Sequence, residues 1–136
     1  MMKFKFLEHT ADVKFQAFGK NAEEVFENSA LALKEIICGK KKIGGIREMK
    51  VTAKGKDYEK LLYNFLEEIL YLLDAENFLI SKIKEIKINR FRLKAVILGD
   101  RAKNYKFTNS AKAITYNEMF IKKEKGKWIS QVVVDV

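Results

Sequence analysis

From residue 78 to the end of the chain, on either side of a polar loop at 101–110, apolar residues alternate with charged or polar ones. This period of two places one side of a strand on a core and the other in solvent. The runs 83–88 and 91–97 flank Asn89-Arg90 and predict a hairpin, and the runs 113–121 and 127–136 predict a second. A chain with so much of its length in alternating strands must build an extensive sheet.

Two amphipathic helices are predicted in the first half of the chain, together with shorter strands around them. Asn21 and Glu24 form a capping-box pattern for the first helix, and Gly39 is placed to end it. Asp57 is placed to cap the second helix. Helices that precede the late hairpins favour an α+β fold: one domain over residues 1–136, whose mixed or antiparallel β-sheet carries two main helices packed on one side.

Composition narrows the class of protein and its compartment. A chain of 136 residues that is 48% hydrophobic fits one ordinary domain. Its single cysteine, Cys38, cannot form an internal disulfide, and its place in an apolar helical pattern predicts a packed thiol. No run approaches the ~20 apolar residues of a membrane span and no signal peptide is recognisable, so we expect a cytoplasmic protein without a membrane partner.

The charge balance leaves two interpretations open. Lys and Arg total 27 against 18 for Asp and Glu, a formal charge of +9 that favours polyanions such as RNA. The lysines, however, are spread along the chain and alternate with apolar residues, as in 82–88. That distribution is also typical of a solvated sheet face, which is the simpler interpretation.

Two aspartates near the ends of the chain are the strongest candidates for a site. Asp135 stands among valines, so in a central strand its carboxylate would need a cation, a metal or N–H donors. In a frayed chain end its carboxylate would instead be solvated by water. Asp12 lies in a polar cluster with Glu8 and His9 where the strand pattern breaks, although it could equally form a turn. If the two ends meet, Asp12, Asp135 and an oxygen of Val136 would form an oxygen-only ligand set, which suits Ca²⁺ or Mg²⁺ better than zinc.

Several catalytic classes are disfavoured. His9 is the single histidine, so one chain cannot build a histidine-rich metal cluster, and a structural role for this ring is the simpler interpretation. No serine lies in a nucleophile-elbow context, and the segment 39–45 lacks the order of a phosphate-binding loop. Lys112 could pair with an acidic site or bind a phosphate, although a surface lysine is the default.

Five segments in order give the chain a family resemblance. They read EHTADV at 8–13, NAEEVFEN at 21–28, LYNFLEEILY at 62–71, KAITY at 112–116 and VVDV at 133–136. Together they resemble the archease family, and the likeness runs nearly from end to end.

The resemblance implies a small accessory protein that is not itself a ligase. Archeases assist RtcB-type RNA ligases, which join RNA ends in tRNA splicing and RNA repair. The accessory protein promotes guanylylation of the ligase's active-site histidine, restores multiple turnover and can broaden the nucleotide that is accepted. No catalytic residue is therefore expected in this chain.

The resemblance also implies where the site lies. The family's acidic metal site corresponds here to Asp12, Asp135 and Val136, with Ca²⁺ as the first choice of divalent metal and Mg²⁺ or Mn²⁺ as others. The candidates for ligase activation are Glu8, His9, Asp12, Lys112 and Asp135. In one departure, many relatives carry histidine where this chain has Asn117, which puts a titrating role at that position in doubt.

Two other functions stay open. The +9 charge motivates a basic RNA-binding module or a chaperone for tRNA-modification enzymes, with weak or indirect tRNA contact. A metal-dependent hydrolase built on Asp12, His9 and Asp135 is the least favoured, because only one base of the histidine type exists.

Overall fold

The computed structural model describes residues 2–136. The predicted α+β class, with two main helices and antiparallel strands, is confirmed. In chain order the elements are β1 Phe4–Leu7, β2 Val13–Gly19, α1 Ala22–Cys38, β3 Arg47–Lys54, α2 Tyr58–Glu76, β4 Phe78–Asn89, β5 Arg92–Arg101, a 3₁₀ turn Ala102–Asn104, β6 Ala113–Glu124 and β7 Lys127–Asp135.

The strands divide into two antiparallel sheets where the sequence predicted one. β1, β2, β7 and β6 form a four-stranded sheet in that order, and β3, β5 and β4 form a three-stranded sheet. The division arises because β2 pairs with β7, which joins the first and last strands and leaves the middle strands to pair with one another. Each helix contacts both sheets: α1 packs on β2, β7 and β4, and α2 packs on β6, β3 and β4.

Both helices begin at the predicted caps. The Asn21 side chain accepts a hydrogen bond from the N–H of Glu24 at 2.8 Å, and the Asp57 side chain accepts one from the N–H three residues on, also at 2.8 Å. The Glu24 carboxylate reaches the N–H of Lys20, one residue before the cap. Gly39 ends α1 with φ of 68°, a conformation that favours glycine.

One hydrophobic core joins the helices to both sheets. The rings of Phe26 in α1 and Phe65 in α2 lie 6.1 Å apart at its centre. Ser29 in α1 and Ser130 in β7 are fully buried and share a hydrogen bond of 2.8 Å, which fixes the helix over the strand. Cys38 lies in this core as expected, and burial raises the pKa of its thiol.

The turn between β4 and β5 falls one residue later than the sequence predicted. Asn89 pairs with Arg92, so Arg90 and Phe91 form the two-residue turn, with φ of 52° and 59°. The turn between β6 and β7 lies at Lys125-Gly126, between the two predicted runs of the second hairpin. Across residues 2–136, the helices are all too short or too polar to cross a membrane.

Candidate functional site

Strand register brings three of the sequence candidates to one end of the four-stranded sheet. Val13, the first residue of β2, lies opposite Val134 in β7, so Asp12 and Asp135 are the residues that directly flank the last pair of this ladder. On the other side of β7, Asp135 pairs with the first residue of β6, and its carbonyl accepts a hydrogen bond of 2.8 Å from the N–H of Lys112. Asp12, Asp135 and Lys112 therefore come from three adjacent chain segments.

The surroundings of the two aspartates suit them to bind a cation. Asp12 and Asp135 are both half-buried, and within residues 2–136 neither carboxylate accepts a hydrogen bond. Carboxylate oxygens with unused lone pairs are acceptors for water or ligands for a hard cation.

The donor set fits a hard cation with help from further oxygens. In the part of the chain that the structure describes, no three side chains of His, Cys, Asp or Glu are grouped to hold a metal ion. Asp12 and Asp135 would thus need an oxygen of Val136, backbone carbonyls, water or a partner to complete a shell. Oxygen donors suit Ca²⁺, Mg²⁺ or Mn²⁺ and disfavour zinc.

His9 is bound to a carboxylate that the sequence analysis did not single out. Its Nε2 lies 3.1 Å from Oε2 of Glu118, while Nζ of Lys14 lies 3.3 Å from Oε1 of the same residue. The Glu118 carbonyl also accepts a hydrogen bond of 2.8 Å from the Gln131 side chain. The predicted candidate Glu8 is exposed on the same loop as His9.

A β-bulge in β6 positions the Glu118 side chain next to His9 and Lys14. Pairing between β6 and β7 stops after Thr115 and resumes at Phe120, so residues 116–119 are unpaired, and Glu118 has φ of 58°. Three consecutive polar positions, 116–118, interrupt the alternating pattern of β6. That interruption was the signal for the bulge. Asn117 lies exposed on it.

Two glutamates of α2 hold β6 on either side of the bulge. The Glu67 carboxylate accepts a hydrogen bond of 3.0 Å from the N–H of Ile114, and Glu59 accepts one of 3.1 Å from the N–H of Ile121. These N–H groups belong to an edge strand, which has no neighbour on that side to satisfy them. The position of the bulge is therefore set by α2.

Two buried polar atoms near the bulge have no hydrogen-bond partner among residues 2–136. They are Nδ1 of His9 and Oγ1 of Thr115. Unpaired buried polar atoms are costly, so each is a point at which a water molecule or a ligand would be stabilised.

The Glu118 contact makes a pH-dependent contribution to stability. Hydrogen bonds from His9 and then Lys14 hold the pKa of Glu118 below its ordinary value of 4.5. Because the folded-state pKa is the lower one, the contact stabilises the fold well above pH 4.5 and is lost as the pH falls through the folded value.

We expect the urea midpoint of the wild-type protein to fall more steeply below pH 4.5 than that of Glu118→Gln. Circular dichroism at a series of pH values measures this difference. Asp100, whose pKa is also lowered, chiefly by a hydrogen bond from Tyr105, is present in both proteins and contributes equally to both curves. Parallel curves would show that the Glu118 contact does not stabilise the fold.

Comparison with known proteins places the whole chain among relatives of the same length. The sequence model of the archease protein family matches residues 4–136. The protein archease of Methanosarcina mazei is 38% identical over 98% of this chain and 96% of its own length, and that of Pyrococcus furiosus is 36% identical over the full length of both.

Solved structures share the fold. The solution structure of a Methanobacterium thermoautotrophicum protein is 33% identical and covers 100% of both chains, with a TM-score of 0.85. A crystal structure from Thermotoga maritima, of an archease described as a possible chaperone, covers 97% of this chain and 96% of its own. It has 21% identity and a TM-score of 0.68, a likeness of fold alone. On the family match and the full-length relatives, the chain belongs to the archease protein family.

Proposed function

We propose that this chain is a cytoplasmic, non-catalytic activator of an RtcB-type RNA ligase that acts in tRNA splicing and RNA repair. It promotes guanylylation of the ligase and so restores multiple turnover. The observation that supports the proposal is the β2 to β7 register, whose last pair is Val13 and Val134, so that Asp12 and Asp135 directly flank it, together with the hydrogen bond from the N–H of Lys112 to the carbonyl of Asp135. These three residues lie in the segments 8–13, 112–116 and 133–136 that resemble archease motifs.

The residues of this end of the sheet have complementary charges. Asp12, Asp135 and an oxygen of Val136 would hold a divalent cation, with Ca²⁺ preferred over Mg²⁺ or Mn²⁺. A bound cation supplies positive charge for phosphate oxygens at a site shared with the ligase. Lys112, which is exposed, offers a second positive charge for the phosphates of a nucleotide.

The remaining groups favour a supporting role over catalysis by this chain. The sole histidine, His9, is bonded to Glu118, which is also bonded to Lys14. This pairing holds the ring against the β6 bulge. His9 and Glu118 are therefore assigned to shaping the surface that meets the ligase.

The experiment that tests the activator role is reconstitution. The cognate ligase is mixed with guanosine nucleotide, Mn²⁺ and RNA with joinable ends, with and without this chain, and the number of joined products per ligase is followed. We expect the ligase alone to stop after about a single turnover and substoichiometric amounts of this chain to sustain joining. Equal product with and without the chain would refute the proposal.

Cation binding is tested separately by calorimetric titration of Ca²⁺ into the chain alone. We expect binding by the wild type and none by Asp135→Asn, since one carboxylate cannot replace the pair. If the chain stimulates the ligase but binds no Ca²⁺, the proposed activator role stands and the proposed Ca²⁺ site is refuted.

A second candidate function rests on the net charge of +9. It is a basic RNA-binding module or chaperone for tRNA-modification enzymes. Its tRNA affinity would fall steeply with salt and would need no ligase. Suppressed aggregation of a tRNA-modification enzyme, without any effect on ligation, would favour it over the activator role.

A further inference from the structure

The outer face of the three-stranded sheet sets cations directly opposite one another. Val51, Leu93 and Ala95 alternate inward to the helices, so the residues between them point outward. On that outer face Lys54 pairs with Arg92, and Lys94 pairs with Lys87. Like charges at directly opposed strand positions destabilise a sheet.

One acidic side chain, Glu85, lies on the same outer face two residues before Lys87. Within residues 2–136, no ion pair with a carboxylate is formed by Lys54, Arg92, Lys94 or Lys87. The four cations outnumber this one carboxylate, so the outer face keeps an excess of positive charge that a polyanion would neutralise.

A cleft continues this cationic block toward the start of α2. It has a volume of about 520 Å³ and is lined by Lys56, Lys60 and Arg90 together with Lys54 and Arg92. Among residues 2–136, those that line the cleft include no aspartate or glutamate. Asp57, which caps α2, and Glu59, which accepts the N–H of Ile121, line a neighbouring cleft together with Lys56 and Lys60.

An aromatic ring stands in the lining of the same cleft. Phe91 occupies the second position of a turn in which both residues have positive φ, a conformation for which Asn-Gly is the usual pair. Its side chain is exposed to 36%, and its ring packs edge-to-face on Tyr58 with centroids 4.9 Å apart. A bulky residue in a left-handed conformation signals a role that outweighs the local strain.

We propose that this surface, defined by Lys54, Lys60, Arg90, Phe91 and Arg92 and called here the basic cleft, binds single-stranded RNA. Phosphates lie along the cations, and a base stacks on Phe91. Exposed aromatic rings set among cations are typical of surfaces that bind single strands. The choice of RNA among polyanions rests on the proposed function in RNA joining.

The basic cleft lies away from the acidic end of the four-stranded sheet. Tyr58 links the two regions because it contacts both Phe91 and Trp128, at 5.1 Å between centroids for the latter. Trp128 is at the start of β7 and Asp135 at its end, about 23 Å away for an extended strand. An RNA strand in the cleft would thus leave Asp12 and Asp135 free to meet the ligase.

The test is fluorescence anisotropy with a short labelled single-stranded RNA of mixed sequence and the full chain, without ligase. We expect binding that weakens with salt, and a loss of affinity of about tenfold or more in Lys54→Glu with Arg92→Glu. The matched control is Lys103→Glu with Lys106→Glu, which changes the charge equally beyond the other end of β5 and should bind like the wild type. Equal losses in both variants would assign binding to net charge and reject the cleft.

Phe91 gives an independent readout. Phe91→Ala should weaken the affinity for single-stranded RNA about tenfold. The affinity for duplex RNA should stay unchanged, since a paired base cannot stack on the ring. Arg90→Asn with Phe91→Gly should raise the melting temperature by about 4 °C through relief of turn strain. It should weaken the binding of single-stranded RNA by at least as much as Phe91→Ala, since it also removes the cation of Arg90 from the cleft. Unchanged affinity in both variants would remove Phe91 from the proposal.

Other outcomes separate this proposal from the activator role. Absence of RNA binding by the wild type, or preferential binding of polyglutamate at the cleft, would overturn it even if ligase stimulation is intact. RNA binding without ligase stimulation would instead overturn the activator role alone. If the charge-reversed variant does not fold, Lys54→Ala with Arg92→Ala should fold and show a shallower salt dependence, and an unchanged slope would overturn the proposal.

Discussion

Replacing Asp12 and Asp135 together by asparagine is expected to reduce the proposed stimulation of the ligase at least about tenfold while leaving the chain folded. The substitution keeps the shape of each side chain and removes both negative charges from the end of the sheet. Removal of a residue that only hydrogen-bonds a metal ligand typically lowers metal affinity or activity at least about tenfold. Loss of two ligands should therefore reduce stimulation by at least that factor. Multiple-turnover joining by the reconstituted ligase measures it.

The fold should tolerate this change because both side chains are half-buried, and neither accepts a hydrogen bond from residues 2–136. We expect the free energy of unfolding to stay within about 0.5 kcal/mol of the wild type. Asp74→Asn with Glu76→Gln is the matched control, since it removes the same charge from exposed positions at the end of α2. Full stimulation by the Asp12 and Asp135 variant would contradict the assignment of the site.

Gly99→Ala is expected to lower the free energy of unfolding more than any other substitution considered in these predictions. A Cβ at Gly99 would overlap the carbonyl oxygen of Leu79 and lie 2.6 Å from Cζ of Phe78. Phe78 is almost fully buried and has no room to withdraw. Overpacking of this kind costs about 3 kcal/mol, or about 10 °C in melting temperature for a domain of this size.

Gly45→Ala is the control for this prediction. A Cβ at Gly45 would meet Leu98 at 3.5 Å, an ordinary van der Waals distance, and the backbone there is not in the left-handed region. Thermal unfolding followed by circular dichroism should therefore separate the two alanine variants clearly. A Gly99→Ala protein as stable as Gly45→Ala would mean that β4 can shift away from β5 at little cost.

The features of the fold that depend on neighbours in sequence were predictable. Asn21, Asp57 and Gly39 act through contacts within four residues, so their roles as helix ends can be inferred from the sequence itself. The division into two sheets could not be inferred, because the period of two in each strand is satisfied by any partner that buries the same side. Only the pairing of β2 with β7 decides it.

The candidate site shows the same limit. Asp12 and Asp135 attracted attention as interruptions of apolar segments, but their proximity depended on a register that connects the two ends of the chain. The contacts of Glu118 with His9 and Lys14 were missed because a bulge shifts which residues face one another, and alternation alone predicts an unbroken strand. The polar interruption at 116–118 was its sole sign in the sequence.

The pairing of β2 with β7 also has a consequence for the order in which this protein matures. Gln16 and Gln131 are hydrogen-bonded neighbours although they are 115 residues apart along the chain. β2 can pair on that side only after β7 has been synthesised, and pairing across so large a separation in sequence slows folding. The ends of the two strands next to Asp12 and Asp135 therefore meet only when this late pairing forms.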